Sequence, residues 1–137
     1  RPDLALSSAT AAKALYQKVG NKAEESHMLY AASQCALTLA DKASESQQPE
    51  AQRQARKHLT AALKAAKEGL AIARKLPEEA DPQRALLSNL LTVVAQAHGA
   101  LGKSKESLRF ANEVMRLSAD RKSECSANIL LAQVHNW

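Results

Sequence analysis

The segment that most constrains the fold is a pair of helical patterns joined by a turn at Leu101-Gly102-Lys103-Ser104. Gly102 can adopt the left-handed backbone conformation that ends a helix, and the Ser104 hydroxyl can cap the next helix. Core-type residues recur at helical spacing on both sides of this turn. They are Leu87, Leu90, Leu91, Val94, Ala95 and His98 before it, and Leu108, Ala111, Val114, Met115 and Leu117 after it. The segment therefore predicts a helical hairpin with two facing apolar stripes.

A four-residue motif recurs beyond this hairpin. Ala132-Gln133-Val134-His135 repeats Ala95-Gln96-Ala97-His98 at an interval of 37 residues. Ser33-Gln34 takes the matching place in an earlier helical pattern, 62 residues before Ala95-Gln96. A motif that recurs at such intervals indicates an array of stacked helices rather than a single bundle.

Turn and cap residues divide the rest of the chain. Gly20 is expected to end the first helix, and Asn21 is expected to cap a second helix over about residues 22–44. A polar break at 44–50 follows, in which Pro49 suits the first turn of the third helix. Further starts at Asp81 and Asp120 bring the expected number of helices to about six.

The third helix, expected over about residues 50–76, is unusually long for this chain. Its first half is almost wholly polar and is expected to project beyond the core. Gly69 lies in its apolar second half, where glycine costs about 1 kcal/mol relative to alanine. Close approach of a neighbouring helix is the predicted compensation.

The hairpin resembles a tetratricopeptide repeat. The matching positions are Leu91, Val94-Ala95, His98, Gly102, Ser107-Leu108, Ala111, Val114-Met115 and Leu117. The run Leu70–Leu76 followed by Asp81 is similar to the longer repeat of kinesin-light-chain type. The chain departs from the family at His98, Leu91 and Ser107, where Tyr, Trp and Ala are usual. The resemblance covers residues 60–135 and implies a right-handed α-solenoid of antiparallel helix pairs. The length of the chain predicts that residues 1–137 form one domain, and the apolar face left open on the last helix predicts that this domain is a segment of a longer array.

The resemblance also implies a binding face, because the A helix of each pair lines the concave surface of such a solenoid. When Gln34, Gln96 and Gln133 are aligned as equivalent positions of the A helices, three sets of groove-facing residues at i, i+3 and i+7 spacing are predicted. These sets are His27, Tyr30 and Gln34; Asn89, Thr92 and Gln96; and Ser126, Ile129, Gln133 and Asn136. We expect this face to bind a peptide or helix of a protein partner, and Leu131, Val134 and Trp137 to offer a second, end-on docking surface.

No motif for chemistry accompanies these patterns. His98 and His135 occupy equivalent positions, but no HExxH motif and no carboxylate one turn away on the same face accompany them, so they predict packing histidines rather than metal ligands. Phosphate loops and nucleophile motifs are absent, which predicts a non-catalytic protein without a cofactor. No apolar run is long enough to span a membrane.

The net charge of +5 leaves one alternative function open. Arg53, Arg56, Lys57, Lys64 and Lys67 of the third helix could form a basic nucleic-acid interface. Acidic residues interleave with the basic ones and aromatic residues are few, which favours a solvated outer face. The preferred hypothesis is a scaffold, adaptor or accessory subunit that binds protein, and the alternative is a basic helical nucleic-acid-binding domain.

Overall fold

The computed structural model describes residues 2–76 and 81–119, and this part of the chain is helical without a strand. The five helices are α1 (Pro2–Val19), α2 (Lys22–Ser44), α3 (Pro49–Ala73), α4 (Asp81–Ala100) and α5 (Ser104–Ala119). The all-α prediction is therefore confirmed. The predicted sixth helix lies outside the described residues.

Local sequence signals account for most helix ends. Gly20 and Gly102 have φ angles of 74° and 82°, the left-handed conformation that glycine adopts without strain. The Asn21 side chain accepts a hydrogen bond from the Glu24 amide at 3.2 Å, which confirms it as the cap of α2. Pro49 stands in the first turn of α3, where its missing N–H costs nothing.

The predicted cap at Ser104 is displaced by one residue. The helix α5 already includes Ser104, and the Ser107 amide donates a hydrogen bond to the carbonyl of Lys103 at 3.0 Å. Lys103 therefore holds the cap position, while its own amide donates to the carbonyl of His98 at 2.8 Å and closes the turn. Ser104 begins the helix without capping it.

The core lies around α4. Leu90, Leu91 and Val94 of this helix are completely buried, and side chains of α3 and α5 complete the cluster. Each helix packs against its neighbour in sequence, and α2 also packs against α4. Because α4 is enclosed by three other helices, only a narrow part of its surface is left for a partner.

Polar contacts join helices that are not neighbours in sequence. Lys13 of α1 lies 4.0 Å from Glu68 of α3, and Arg74 at the end of α3 lies 2.8 Å from Glu113 of α5. The helices α1, α3 and α5 are therefore linked through side chains. The helices α2 and α4 meet through closer backbone contact.

Gly69 marks the closest crossing of three helices. A Cβ atom at this position would lie 3.0 Å from Leu90 Cδ2 of α4 and 3.2 Å from Leu29 Cβ of α2. The buried Ser26 hydroxyl also donates a hydrogen bond to the Gly69 carbonyl at 2.9 Å. The predicted close approach at Gly69 is thus confirmed, because no larger residue fits there without moving the neighbouring side chains.

The first half of α3 does not stand free as predicted. Ala55 is only 5 % exposed, and Leu59 is half-buried. This half of α3 lines a cleft of about 370 Å³ together with Ala40 of α2 and with Ala100 and Leu101 at the end of α4. Small residues let α2 and α3 pack closely there, so it is the outward polar and charged side chains of this segment that project into solvent.

Candidate protein-binding face

One accessible stripe runs along α4. Between Leu86 and Gly99 every side chain is buried except those of Ser88, Asn89, Thr92 and Gln96. All four are polar and uncharged, whereas the buried positions are almost all apolar. The predicted set of Asn89, Thr92 and Gln96 therefore lies on the one face of α4 that a partner can reach, and Ser88 extends it.

The hydrogen bonds of this stripe leave two amides open. The Thr92 hydroxyl donates to the carbonyl of Ser88 at 2.9 Å, so its proton is already used within the helix. Asn89 and Gln96 make no side-chain hydrogen bond to any other part of the chain that the structure describes. Each amide offers a donor and an acceptor, the pair of groups that an extended peptide backbone also presents.

The matching set on α2 is held in place by an internal contact. Gln34 is exposed, and its Nε2 donates a hydrogen bond to the Tyr30 hydroxyl oxygen at 2.6 Å. Tyr30 is half-buried against the core cluster, and His27 is half-buried one turn earlier. Burial raises the pKa of Tyr30, opposed by the hydrogen bond from Gln34. The Tyr30 hydroxyl thus keeps its proton and can donate it to a partner.

The structure places these two sets on helices that touch each other. The third predicted set, Ser126, Ile129, Gln133 and Asn136, lies outside the described residues, as do the end-docking residues Leu131, Val134 and Trp137. The sequence did not reveal Ser88 as part of the stripe. Its spacing of four residues from Thr92 was the available signal, since that spacing places both on one side of a helix.

His98 is a packing residue in this structure. It is 3 % exposed, and its ring stacks on Phe110 with centroids 5.7 Å apart and planes inclined by 10°. Its Nδ1 atom has no hydrogen-bond partner among the residues that the structure describes. Burial lowers the pKa of His98, and the nearby charges of Lys67, Lys103 and Arg109 lower it further. The imidazole is therefore held in its neutral form.

Metal ligation receives no support from the side chains around His98. Within residues 2–76 and 81–119 no group of three or more His, Cys, Asp or Glu side chains could hold a metal ion. His135, its predicted counterpart, is not among those residues. The imidazole of His98 instead fills a position between α4 and α5, where the stack on Phe110 gives it a structural role.

Comparisons with protein-family models, with curated proteins and with solved structures give no match to this chain. Among the described helices none is both long and apolar enough to cross a membrane. A function must therefore be argued from the surfaces of the chain itself.

Proposed function

We propose that this chain is a non-catalytic protein-interaction module, a solenoid segment of tetratricopeptide type that serves as a scaffold, adaptor or accessory subunit. A peptide or helix of a protein partner binds the face formed by α2 and α4. The observation that carries this proposal is the accessible stripe of α4, where only uncharged polar residues interrupt an otherwise buried surface. Such residues combine accessibility with open hydrogen-bonding groups and add no charge that would have to be desolvated.

The helix contacts support the solenoid part of this proposal. In a stack of antiparallel pairs, each helix packs on its sequence neighbours, and inner helices of consecutive pairs also meet. The contacts of α2 with α4 fit that arrangement, as do the ion pairs that link α1 to α3 and α3 to α5. The bond from Ser26, near the start of α2, to Gly69, near the end of α3, fits an antiparallel pair.

The binding geometry assigns different roles to the two helices. Asn89 and Gln96 lie seven residues apart, which places them about two turns apart on one side of α4. They bond to the backbone of the bound segment. Tyr30, held by Gln34, contributes a ring edge and a hydroxyl donor from α2. Thr92 and Ser88 lie between and beside the amides, where they accept hydrogen bonds.

The proposal can be tested with peptides selected from a random display library on the immobilised chain. Asn89→Ala and Gln96→Ala should each weaken binding of the selected peptides about tenfold, since each removes hydrogen bonds made to the ligand. Fluorescence anisotropy with labelled peptides measures the change. Gln17→Ala on α1 is the matched control, because it removes an exposed amide from another helix and should leave affinity unchanged.

Two outcomes would contradict the proposed face. Selected peptides could bind both groove variants as tightly as they bind the unaltered chain, which would place their site elsewhere. Alternatively, Gln17→Ala could weaken binding as much as Gln96→Ala, which would show that loss of an amide anywhere has the same effect. Circular dichroism of every variant should remain unchanged, because these side chains are not part of the core.

A further inference from the structure

Positive charge is concentrated on α3 and α5. Residues 49–76 carry seven Lys and Arg against two Glu, and residues 103–119 carry four against two. Residues 21–46, which contain α2, carry two Lys against four acidic residues, and residues 81–100 carry one of each sign. The excess of basic over acidic residues is therefore largest in the segments of α3 and α5, whereas the segments of α2 and α4 have no such excess.

The helices α3 and α5 have no close backbone contact with each other, and α4 packs against both of them. The ion pair between Arg74 and Glu113 joins them at 2.8 Å. Lys67 of α3, Lys103 of the turn and Arg109 of α5 all act electrostatically on the imidazole of His98, so three segments bring their cations to one region. We refer to the exposed surface of α3 and α5 that carries Lys57, Lys64, Lys67, Lys105, Arg109 and Arg116 as the basic face.

The cations of the basic face are not neutralised within the molecule. Among the described residues, ion pairs engage Arg53 with Glu50 and Arg74 with Glu113, whereas none engages the six residues that define the face. Helical spacing aligns them, since Lys57 and Lys64 are two turns apart and Lys105 and Arg109 are one turn apart. Such an array attracts polyanions and accelerates their association.

We infer that the basic face is a second interaction surface, and that it binds an acidic segment of a protein. The aromatic rings in this region, Phe110 and His98, are both buried, so bases of single-stranded nucleic acid find no ring to stack on. Glu106 and Glu113 stand among the cations and oppose a continuous line of phosphates. In a peptide the carboxylates are separated by other side chains, so neutral side chains can lie next to Glu106 and Glu113 while the carboxylates contact the cations.

Binding to this face is separable from binding to the α2 and α4 stripes. An acidic segment needs the Lys and Arg side chains of α3 and α5, whereas the groove offers neutral amides. The two surfaces belong to different helices, so a scaffold could hold two protein segments at once. The basic face would then determine which partners approach, because electrostatic attraction acts mainly on the rate of association.

The test uses a labelled peptide of alternating Glu and Ser residues, with a Gln and Ser peptide of the same length for comparison. Lys64→Ser with Lys67→Ser should weaken binding of the Glu peptide about fivefold at low salt, since each exposed ion pair contributes modestly. Lys18→Ser with Lys42→Ser is the matched control. It removes two exposed lysines from α1 and α2 and gives the same net charge, and it should change affinity little.

Several results would overturn the inference. The two double variants could weaken binding equally, which would leave net charge as the only cause. The chain could bind the Gln peptide as well as the Glu peptide, or bind neither. Duplex RNA, single-stranded RNA or phosphatidylserine vesicles could bind more tightly than the Glu peptide. Their binding could also be weakened by the Lys64 and Lys67 variant and not by the Lys18 and Lys42 variant. That last result would keep the face and replace the partner with nucleic acid or a membrane.

Asn89→Ala and Gln96→Ala separate this inference from the proposed groove. Neither variant should affect binding of the Glu peptide, because both residues lie on α4. A Glu peptide that responds to Gln96→Ala and ignores the loss of Lys64 and Lys67 would contradict the basic face. Failure of library peptides to respond to the groove variants would contradict the groove alone.

Discussion

At the scale of single residues, His98 makes folding sensitive to pH. Its imidazole is buried and surrounded by Lys67, Lys103 and Arg109, with Glu106 as the one opposing charge, and its pKa is lowered as a result. The unfolded chain has the ordinary histidine pKa of about 6.5, so the folded state binds fewer protons. Its contribution to stability is therefore complete above that pKa and is lost as the pH falls below it.

His98→Phe should reduce this sensitivity, because it keeps a ring to stack on Phe110 and removes the titrating group. The free energy of unfolding, measured in urea at about pH 7.5 and about pH 5, should fall less in the variant than in the unaltered chain. His58→Gln on α3 serves as the control, since it removes a different histidine and retains His98. Equal losses of stability in the unaltered chain and His98→Phe would contradict the explanation.

The residue pattern predicted which side chains form the accessible stripe, but it did not predict their hydrogen bonds. The repeat resemblance and the recurring glutamine positions predicted that Asn89, Thr92 and Gln96 share a groove-facing side, and these residues lie on the solvent-accessible side of α4. The bonds from Thr92 to Ser88 and from Gln34 to Tyr30 were not predicted. Both depend on which rotamer each side chain adopts, and the pattern of residue types does not determine that.

At the scale of helices, the crossing at Gly69 couples α3 to α4. Gly69→Ala gains about 1 kcal/mol of helix propensity but inserts a Cβ only 3.0 Å from Leu90 Cδ2. Because Leu90 is completely buried among other side chains, we expect its movement to be costly, so overpacking of about 1–3 kcal/mol should outweigh the gain. We expect a net loss of about 1 kcal/mol in the free energy of unfolding, measured by urea denaturation.

A double-mutant cycle with Leu90→Ala identifies the cause. Leu90→Ala alone should cost about 2–5 kcal/mol, because it leaves a cavity in the core. In that background Gly69→Ala should no longer destabilise, since the closest contact is gone and only Leu29 Cβ at 3.2 Å remains. The resulting coupling should exceed about 1 kcal/mol. An equal effect of Gly69→Ala in both backgrounds would show that the crossing imposes no steric limit.

Helix ends were predictable because their signals are local, as at Gly20, Asn21, Pro49 and Gly102. The close approach at Gly69 was predictable from an interior glycine, but its partners Leu29 and Leu90 were not. The polar first half of α3 was misjudged for the same reason. Ala55 is buried there, but a single alanine in a polar segment gives little hydrophobic signal. The packing that buries it depends on the small residues of α2 that face it.

At the scale of the whole molecule, the arrangement of charge emerges only from the fold. Basic residues alternate with acidic ones along the sequence, and that alternation favoured an ordinary solvated surface. The structure aligns several cations without an ion pair along α3 and α5, and it places the neutral amides on α2 and α4. The contacts between helices separate the basic face from the polar residues of α2 and α4. Residue spacing alone does not specify those contacts.

Stability is also distributed unevenly over the molecule. Most residues of α4 between Leu86 and Gly99 are buried, whereas α1 has one buried residue, Ala9, and leaves Leu15 and Val19 more than half exposed. Among the described helices α1 has backbone contacts with α2 alone, and the ion pair between Lys13 and Glu68 links it to α3. A helix with so few buried contacts should open alone, before the core does.

Native-state hydrogen exchange at increasing urea concentrations measures this order of opening. The amides of α1 should exchange through an opening of low free energy that exposes little surface, while those of α4 should exchange only with global unfolding. Leu90→Ala provides the control, because it lowers the global free energy and should leave the local opening of α1 nearly unchanged. Equal exchange free energies for α1 and α4 would instead require all five helices to unfold as one unit. In that case the contacts between α1 and α2 would stabilise the chain far more than the single buried side chain of α1 indicates.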